Sequence, residues 1–281
     1  MKPRSHDNKH PLVGLAYGPG MVEFIGSHPG WVDYLEIPFE QLRHTPTLAA
    51  LRDTAPLILH CASLSVAGFI PPCAGTIAAV ADQARSTGTP WIGEHLAFIA
   101  ADPLGDEPGA AATTLSYTVC PQLSEQTVER VAENLAVLRP QLPVPLILEN
   151  SPQYFAVPGS TMAMSDFIAA VAERCDIDLL LDLSHFLITA LNTGVDPLRE
   201  IDRLPLERVI EVHVSGLNAQ SGVVWDDHAT PAPPLVFELL ERVMRRARPQ
   251  ALTLEYNWSP QFPLAVLRDH LDRARTLLLA A

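Results

Sequence analysis

The sequence predicts an α/β fold, a (β/α)8 or TIM barrel, and three observations lead to it. Eight short apolar runs rich in Val, Ile and Leu occur along the chain, as expected of strands buried on both faces of a parallel sheet. Stretches with apolar residues at helical spacing separate most of these runs, and this alternation is typical of the barrel. The length of 281 residues and the hydrophobic content of 48% suffice for one barrel with a large core.

The predicted strands follow from the apolar runs, and the predicted helices lie between or after them. In chain order the strands are 12–18, 32–39, 56–65, 91–99, 144–152, 178–187, 209–216 and 251–257. The helices with the clearest pattern are 73–87, 124–139, 164–174, 233–247 and 261–279. Ser124 is a suitable N-cap for the second of these helices. The connection over 41–55 has a weaker helical pattern, and the connection over 188–208 is short and irregular.

No boundary divides the chain, so we expect a single TIM-barrel domain over residues 1–281, with a polar N-terminal tail over residues 1–11. The 26 prolines are scattered through loops and strand starts and do not form a linker. The tail lacks the apolar core of a signal peptide, and no apolar run approaches the length of a membrane span. We therefore expect a cytoplasmic protein that does not contact membranes.

Charge and cysteine content exclude further classes of function. The net charge of −13 and the dispersed basic residues give little support to nucleic acid binding. The four cysteines, Cys61, Cys73, Cys120 and Cys175, show no CxxC spacing. Neither a zinc finger nor a disulfide framework is therefore indicated.

Polar residues end most of the apolar runs, at the place where the active site of a barrel lies. A charge in such a buried position is costly unless something compensates it. The strands carry no lysine or arginine that could do so, and without a metal the like charges would repel one another strongly. A shared metal centre would compensate all of them together. The residues are Glu36, His60, Glu94 with His95, Glu149 with Asn150, Asp182, His213 and Glu255.

Glu94 and His95 are neighbours in the fourth run, so a regular strand turns them to opposite faces. We favour His95 as a metal ligand and Glu94 as a contact to a ligand or to the substrate. Taken singly, a strand-end carboxylate is often half of a structural ion pair, and a strand-end histidine is often a hydrogen-bonded core residue. The fifth run stops at Glu149, where a carboxylate can bridge two cations.

Two pairs of polar residues have spacings that suit metal binding. Asp182 and His185 are three residues apart, which suits a strand that turns at its end and presents both side chains to one ion. His213 lies deep in the seventh run, and the loop beyond it carries Asp226 and His228, which share one side of an extended chain. Ordinary ion pairs explain poorly why so many imidazoles and carboxylates converge on one rim.

The types of candidate ligand restrict the metal. A mixed set of histidines and carboxylates without thiolates suits iron, manganese or zinc and disfavours calcium. The number of candidate ligands indicates two or three ions and not one. Composition alone does not choose among the three metals.

Ten motifs in a fixed order carry a resemblance to a known family. They are GLAYG, YLEIPFE, LILHCASLS, GEHLAF, LILENSPQY, PGSTMAMSDFIAAVAER, LLLDLSHFLITALNTGVDP, EVHVSG, DDHATPAP and LTLEYN. With these motifs the chain resembles the DUF692 family, also called the multinuclear non-heme iron-dependent oxidative enzymes. That family includes the oxidases of methanobactin biosynthesis and of thiaglutamate biosynthesis.

The resemblance implies a TIM barrel that holds two or three iron ions in mixed Fe(II) and Fe(III) states and uses O2 as a co-substrate. It implies a ribosomally synthesised precursor peptide as substrate, usually oxidised at cysteine, and a partner protein that recognises the leader of the peptide. The metal ligands that it implies are His60, His95, Glu149, Asp182, His185, His213, Asp226, His228 and Glu255. We expect catalytic roles for Glu94, Asn150 and Asp182.

Two other classes of function fit parts of the pattern. A zinc or manganese TIM-barrel hydrolase or isomerase, similar to endonuclease IV or xylose isomerase, has a similar rim of histidines and carboxylates. The acidic composition disfavours the nuclease, and the isomerase usually needs a lysine near its metals, whereas the only lysines are Lys2 and Lys9. The second class is a binding protein that has kept the barrel without the chemistry, which retention of nearly the whole ligand set disfavours.

Two long connections, 100–123 and 216–234, lie on the predicted active rim. Their content of Gly, Ala, Pro and Ser predicts mobile walls or lids, although solvated loops explain 100–113 equally well. Tyr117, Tyr154 and Trp225 are candidates for lining a peptide groove.

Overall fold

The structure is a computed structural model that describes residues 10–101, 113–256 and 262–280. Most of the predicted N-terminal tail and the middle of the connection 100–123 lie outside these described residues. The end of the eighth apolar run and the start of the last predicted helix lie outside them as well.

Twelve strands and nine α-helices occur in the described part of the chain. The strands are β1 Leu12–Ala16, β2 Tyr34–Pro38, β3 Leu57–Cys61, β4 Ile92–His95, β5 Phe98–Ala101, β6 Thr113–Val119, β7 Leu146–Glu149, β8 Leu179–Asp182, β9 Val209–Val214, β10 Leu217–Gln220, β11 Val223–Asp226 and β12 Ala251–Leu254. The helices are α1 Met21–Ser27, α2 Phe39–His44, α3 Ala74–Thr87, α4 Glu125–Leu138, α5 Met164–Cys175, α6 Leu183–Thr193, α7 Pro197–Glu200, α8 Pro234–Met244 and α9 Leu264–Ala280.

Eight of the strands form a closed barrel in the order β1-β12-β9-β8-β7-β4-β3-β2, and every neighbouring pair is parallel. Pairing of β1 with both β2 and β12 closes the sheet. Because all eight strands run in one direction, their carboxyl ends meet at one face. The predicted fold class, an α/β TIM barrel, is thus confirmed.

The two long connections contain secondary structure that the sequence interpretation did not assign. Strands β5 and β6 pair antiparallel after β4, and β10 and β11 pair antiparallel after β9. Each pair lies between a barrel strand and the next helix, which is the side of the barrel where the strands end. The predicted walls of the rim are therefore built partly from β-hairpins.

One apolar run was assigned wrongly over part of its length. The predicted strand 178–187 ends at Asp182, and helix α6 begins at the next residue. The side chain of Asp182 caps this helix, because its Oδ1 accepts a hydrogen bond of 2.6 Å from the backbone N–H of His185. Part of the connection 188–208, predicted to be irregular, consequently belongs to α6 and α7.

The core has two parts, one between the barrel and the helices and one inside the barrel. Residues such as Val131, Phe167 and Leu240 are buried in the outer part. Inside the barrel Trp91, together with Ile58, Ile147 and Leu180 around it, fills the lower interior. Within 10–101, 113–256 and 262–280, no helix has both the length and the apolar character needed to cross a membrane.

Candidate metal centre

The barrel strands bring histidines and carboxylates together at their carboxyl ends. Paired residues of neighbouring parallel strands point to the same face of the sheet. His95 of β4 is paired with Glu149 of β7, and Asp182 of β8 is paired with His213 of β9. All four side chains therefore point into the barrel from the carboxyl ends of their strands.

Glu149 lies at the middle of the resulting cluster and is 1% exposed. Its Oε2 is 3.3 Å from Nε2 of His60 and 3.2 Å from Nε2 of His95. Its Oε1 is 3.3 Å from Nδ1 of His185 and 3.6 Å from Nδ1 of His213. Neither oxygen has a partner of hydrogen-bond geometry among the described residues. His60, His95 and Glu149 form the first of the sets of atoms that can hold one ion, here called the first set.

The second set shares Glu149 with the first and adds Asp182, His213 and Glu255. Nδ1 of His213 is 3.1 Å from Oε2 of Glu255 and 4.0 Å from Oδ2 of Asp182. Oδ2 of Asp182 is buried without a hydrogen-bond partner in the described ranges. Glu149 can therefore bridge two ions, one on each of its oxygens.

The third set consists of His185, Asp226 and His228 and lies nearer to the mouth of the barrel. Oδ2 of Asp226 is 3.1 Å from Nε2 of His185 and 2.5 Å from Nε2 of His228. Asp226 is the last residue of β11, so the second hairpin carries a member of the set. His228 has a φ of 50°, in the left-handed region that few residues other than glycine adopt, and such strain occurs often at functional sites.

A fourth grouping adds Glu36 of β2, which the sequence interpretation noted as a strand end but did not include among the ligands. Its Oε1 is 3.2 Å from Nδ1 of His60, and its Oε2 is 2.8 Å from Nε2 of His213. Glu36 is 3% exposed and lies on the side of the two rings that faces the lower interior. The signal for it in the sequence was its position at the end of an apolar run.

The imidazoles around the carboxylates keep most of these acids ionised. Burial by itself raises the pKa of Glu149, but His95 and the other rings outweigh it, so the pKa lies well below its ordinary value. The pKa of Glu36 is lowered in the same way, with His213 as its strongest neighbour. For Asp182 burial prevails, and its pKa rises to about 6.

In the absence of a metal most of the imidazoles carry the compensating protons, whereas burial lowers the pKa of His95. Burial lowers the pKa of a histidine, but the neighbouring carboxylates outweigh it for His60, His185 and His213, whose pKa values lie well above the ordinary value. Glu255 and Asp226 likewise outweigh burial in raising the pKa of His228 to about 10. Metal ions compete with such protons for the ring nitrogens, so binding would release them.

The donor atoms fit two or three transition-metal ions. Nitrogen and carboxylate oxygen without sulfur suit iron, manganese or zinc. Several of these atoms are fully buried without a hydrogen-bond partner among the described residues, and such atoms are rare unless something else satisfies them. The first, second and third sets use different nitrogen atoms and share only Glu149. No histidine is therefore needed by two of these three sets at once.

The structure brings all nine predicted metal ligands into the three sets. Of the residues predicted to be catalytic, Asp182 lies in the second set and Asn150 lies beside it. The side-chain amide of Asn150 donates to the carbonyl of Asp182 and its oxygen accepts from the N–H of Asp182, both at 2.9 Å. The carbonyl of Asn150 lies 3.1 Å from Nδ1 of His185. Asn150 thus positions two members of the cluster.

Glu94, which we expected to contact a ligand or the substrate, lies outside the cluster. It is paired with Cys61, whose neighbour His60 faces the barrel interior, so alternation along the strand turns Glu94 to the outer face. There its Oε2 accepts a hydrogen bond of 3.1 Å from the backbone N–H of Leu64. Burial and the nearby Glu40 raise its pKa well above the ordinary value. Its position supports a role in holding the loop after β3.

Aromatic side chains occupy the rim above the cluster. Tyr154 stacks on Trp225, and the two ring centroids are 4.5 Å apart. Trp225 is the residue directly before Asp226. Trp225 remains 42% exposed, Tyr117 on the other hairpin is 68% exposed, and Phe155 is 64% exposed. The rim of the barrel thus offers solvent-accessible aromatic surface on more than one loop.

Comparison with known proteins finds a family model and curated relatives that match most of this chain. The family model described as "RiPP precursor modification enzyme MbnB/TglH/ChrH" matches residues 12–279. A UPF0276 protein of Streptomyces avermitilis is 29% identical over 94% of this chain, which spans 56% of that relative's length. A UPF0276 protein of Caulobacter vibrioides is 27% identical, with 94% of each chain covered.

Among solved structures, a xylose isomerase domain containing protein of Salmonella typhimurium is similar, with a TM-score of 0.60. The match covers 96% of this chain and 97% of that protein, at 14% sequence identity. At this identity the likeness concerns the barrel fold and carries no statement about the reaction.

Proposed function

This chain belongs to the RiPP precursor modification enzyme family MbnB/TglH/ChrH, and we propose that it oxidises a residue of a ribosomally synthesised precursor peptide. Cysteine is the first candidate for that residue. The proposed cofactor is two or three iron ions in mixed Fe(II) and Fe(III) states, and the proposed oxidant is O2. A separate protein that recognises the leader of the peptide is the proposed partner.

The observation that carries this proposal is the arrangement of three adjoining ligand sets around Glu149. One set alone would fit many mononuclear hydrolases, whereas adjoining sets that share a carboxylate fit a multinuclear centre. His60, His95 and Glu149 would hold one ion, and Glu149, Asp182, His213 and Glu255 would hold the second. His185, Asp226 and His228 would hold the third where it is present.

The exposure of the ligands defines the side on which a substrate would enter. The side chains of Glu149, Asp182 and His213 are at most 1% exposed. Those of His228 and Glu255 are 20% and 25% exposed. Open coordination positions would therefore face the mouth, while the buried side excludes water and strengthens each electrostatic contact.

Iron, when bound, supplies the one-electron chemistry and the reactivity toward O2 that amino-acid side chains lack. The chain's own contribution is to hold the ions and a peptide side chain close together in one orientation. In the overall reaction the peptide loses electrons and protons, and O2 accepts them and leaves as water or hydrogen peroxide.

The rim supports a substrate larger than a sugar. Two hairpins, β5–β6 and β10–β11, extend the barrel wall beside the mouth. The stacked pair of Tyr154 and Trp225 lies on that rim and could contact the residues that flank the modified one. A sugar isomerase would usually also need a lysine near its metals, and the two lysines, Lys2 and Lys9, both precede the first strand.

The test begins with protein purified without oxygen from iron-supplemented cells, by elemental analysis and Mössbauer spectroscopy. We expect two or more irons per chain, part ferrous and part ferric. The His60→Ala variant should lose iron, whereas His44→Ala, which removes an exposed imidazole on α2, should keep it. Zinc or manganese at high occupancy with negligible iron would overturn the oxidase proposal in favour of a hydrolase or isomerase.

The substrate is tested separately, with a cysteine-containing precursor peptide encoded near the gene. Iron-loaded enzyme, its partner protein and O2 should change the mass of the peptide, and a Cys→Ser peptide should remain unchanged. Modification of the Cys→Ser peptide at another residue would show that cysteine is the wrong target.

A further inference from the structure

Glu36 is the one member of the cluster whose described polar neighbours within 3.5 Å are only two histidine rings. Its Oε1 lies 3.2 Å from Nδ1 of His60, and its Oε2 lies 2.8 Å from Nε2 of His213. Neither oxygen has a partner of hydrogen-bond geometry in the described part of the chain, and neither do Nδ1 of His60 and Nε2 of His213, although all four atoms are buried. A buried carboxylate without any backbone or hydroxyl donor is costly, so its position requires an explanation.

The two rings use their other nitrogens toward the ligand sets. Nε2 of His60 faces Glu149 at 3.3 Å, and Nδ1 of His213 faces Glu255 at 3.1 Å. A neutral imidazole has one nitrogen with a free lone pair and one that carries a proton. Each ring can therefore bind one ion through one nitrogen, while the opposite nitrogen needs a hydrogen-bond acceptor.

Two arrangements are possible, and they are mutually exclusive. If Glu36 bound an ion together with His60 and His213, the first set would keep two side chains and the second set would keep three carboxylates without an imidazole. If Glu36 instead accepts hydrogen bonds from both rings, the first set keeps three ligands and the second keeps four. Only the second arrangement leaves both the first set and the second set complete, each with at least one imidazole.

The other three histidines of the cluster follow the same rule with backbone acceptors. Nδ1 of His95 lies 3.4 Å from the carbonyl of Cys61, and Nδ1 of His185 lies 3.1 Å from the carbonyl of Asn150. Nδ1 of His228 lies 2.7 Å from the carbonyl of Glu255. In each case the opposite nitrogen, Nε2, faces the first or third set.

We propose that Glu36 is a positioning residue, which accepts one hydrogen bond from His60 and one from His213 when these rings turn to bind metal ions, and which does not itself bind metal. The distances of 3.2 and 2.8 Å are already short enough, so that only the ring orientations have to change. It fixes His60 with the proton on Nδ1 and His213 with the proton on Nε2, so that the two rings present opposite kinds of nitrogen to two different ions. A shared acceptor of this type also raises the basicity of both ligands and couples the first set to the second. The inference rests on the proposed metal centre.

The test uses Zn²⁺ as a diamagnetic probe and protein labelled with ¹⁵N in histidine. Long-range ¹H–¹⁵N correlation spectra distinguish a ring protonated on Nδ1 from one protonated on Nε2. In the zinc-loaded protein we expect His60 to carry its proton on Nδ1 and His213 on Nε2, with assignments from His60→Gln and His213→Gln. The opposite pair of tautomers in the unaltered protein would overturn the proposal.

The Glu36→Gln variant adds a second readout. An amide has one oxygen, so it can accept from one of the two rings and must present its NH2 group to the other. We expect one tautomer to be lost and the zinc affinity of the first and second sets to fall by about 10–100-fold. The third set, which Glu36 does not contact, should keep its affinity.

Glu40→Gln is the matched control, because this half-buried carboxylate is four residues away and accepts from Ala62 and Ser63 without reaching either ring. It should leave tautomers and affinities unchanged. Equal affinities in Glu36→Gln and Glu40→Gln would overturn the role of Glu36. Failure of the unaltered protein to bind zinc or iron would instead overturn the proposed metal centre itself.

Discussion

Two buried carboxylates inside the same barrel, Glu211 and Glu149, have opposite surroundings. Glu211, in the lower interior, is fully buried and receives a hydrogen bond of 2.6 Å from Nε1 of Trp91. Hydroxyl groups of Thr253 and Tyr34 donate to its other oxygen at 3.3 and 3.4 Å. Glu149, at the strand ends, has four imidazole nitrogens within 3.6 Å but no partner of hydrogen-bond geometry among the described residues.

The difference shows that protein groups alone satisfy the buried carboxylate in the lower interior, whereas the carboxylate at the strand ends calls for a cation. Burial and the nearby Glu36 raise the pKa of Glu211 to about 7, so neutral donors and a proton suffice there. For Glu149 the surrounding imidazoles, led by His95, outweigh burial and lower the pKa. A buried anion surrounded by nitrogen ligands is the environment that a metal ion satisfies.

Replacing Glu149 should have the largest effect, since two ligand sets share it. Glu149→Gln keeps the shape of the side chain but removes the anion that bridges the first and second sets. We expect the affinity for two ions to fall by more than about 100-fold, above the range for loss of an outer hydrogen-bond partner, and peptide oxidation to be lost. Elemental analysis after dialysis and circular dichroism measure the metal content and the fold.

Glu211→Gln is the control for that experiment, because it removes an equally buried carboxylate from the lower interior of the barrel. It should bind as much metal as the unaltered protein. Equal metal loss in both variants would show that the carboxylate in the lower interior matters to metal binding as much as the one at the strand ends.

The position of His60 gives a second test, of intermediate size. Gly93 is paired with His60, and a Cβ atom at this glycine would lie 2.8 Å from Nδ1 of His60 and 3.1 Å from Leu180. Gly93→Ala should therefore displace the ring, weaken metal binding by the first set and lower the free energy of unfolding by about 1–3 kcal/mol. Zinc titration and denaturant unfolding measure the two effects.

Gly26→Ala in α1 is a suitable control, because an added Cβ there has no neighbour within 4 Å in the described structure. It should leave metal binding unchanged and stabilise the helix slightly. If Gly93→Ala binds zinc as tightly as Gly26→Ala does, the ring of His60 is not held by the limited space beside it.

The positions of the polar residues at the strand ends could be predicted from the sequence because their signal is local. An apolar run that ends in Glu or His predicts a strand end, and parallel strands collect their ends at one face. Alternation along β4 correctly separated His95 from Glu94. The start of α6 was missed because apolar residues continue on both sides of Asp182 in LLLDLSHFL, and strand and helix look alike in such a run.

The surroundings of Glu211 in the lower interior were harder to predict, because its hydrogen-bond donors are distant in sequence. Glu211 is two residues before His213, so alternation places both on one face, and this signal was present. Its acceptor role, however, depends on Trp91, 120 residues away, and on Thr253, 42 residues away. Such pairings follow from barrel closure and register, which composition and spacing do not determine.

The smallest expected effect is on stability, and it again separates the two carboxylates. The pKa of Glu211 is about 7 in the folded protein, above its ordinary value of 4.5. Between these values only the folded state holds the proton, so the stability that this group contributes falls as the pH rises through this window. Gln resembles the protonated acid at every pH. In metal-free protein, Glu211→Gln should therefore match the unaltered protein near pH 4.5 and exceed it by about 1–3 kcal/mol at pH 8. Urea unfolding at both pH values measures this difference in the free energy of unfolding. A difference that is equal at both pH values, or larger at pH 4.5, would show that Glu211 is ionised throughout. Glu211 and Glu149 would then be electrostatically alike.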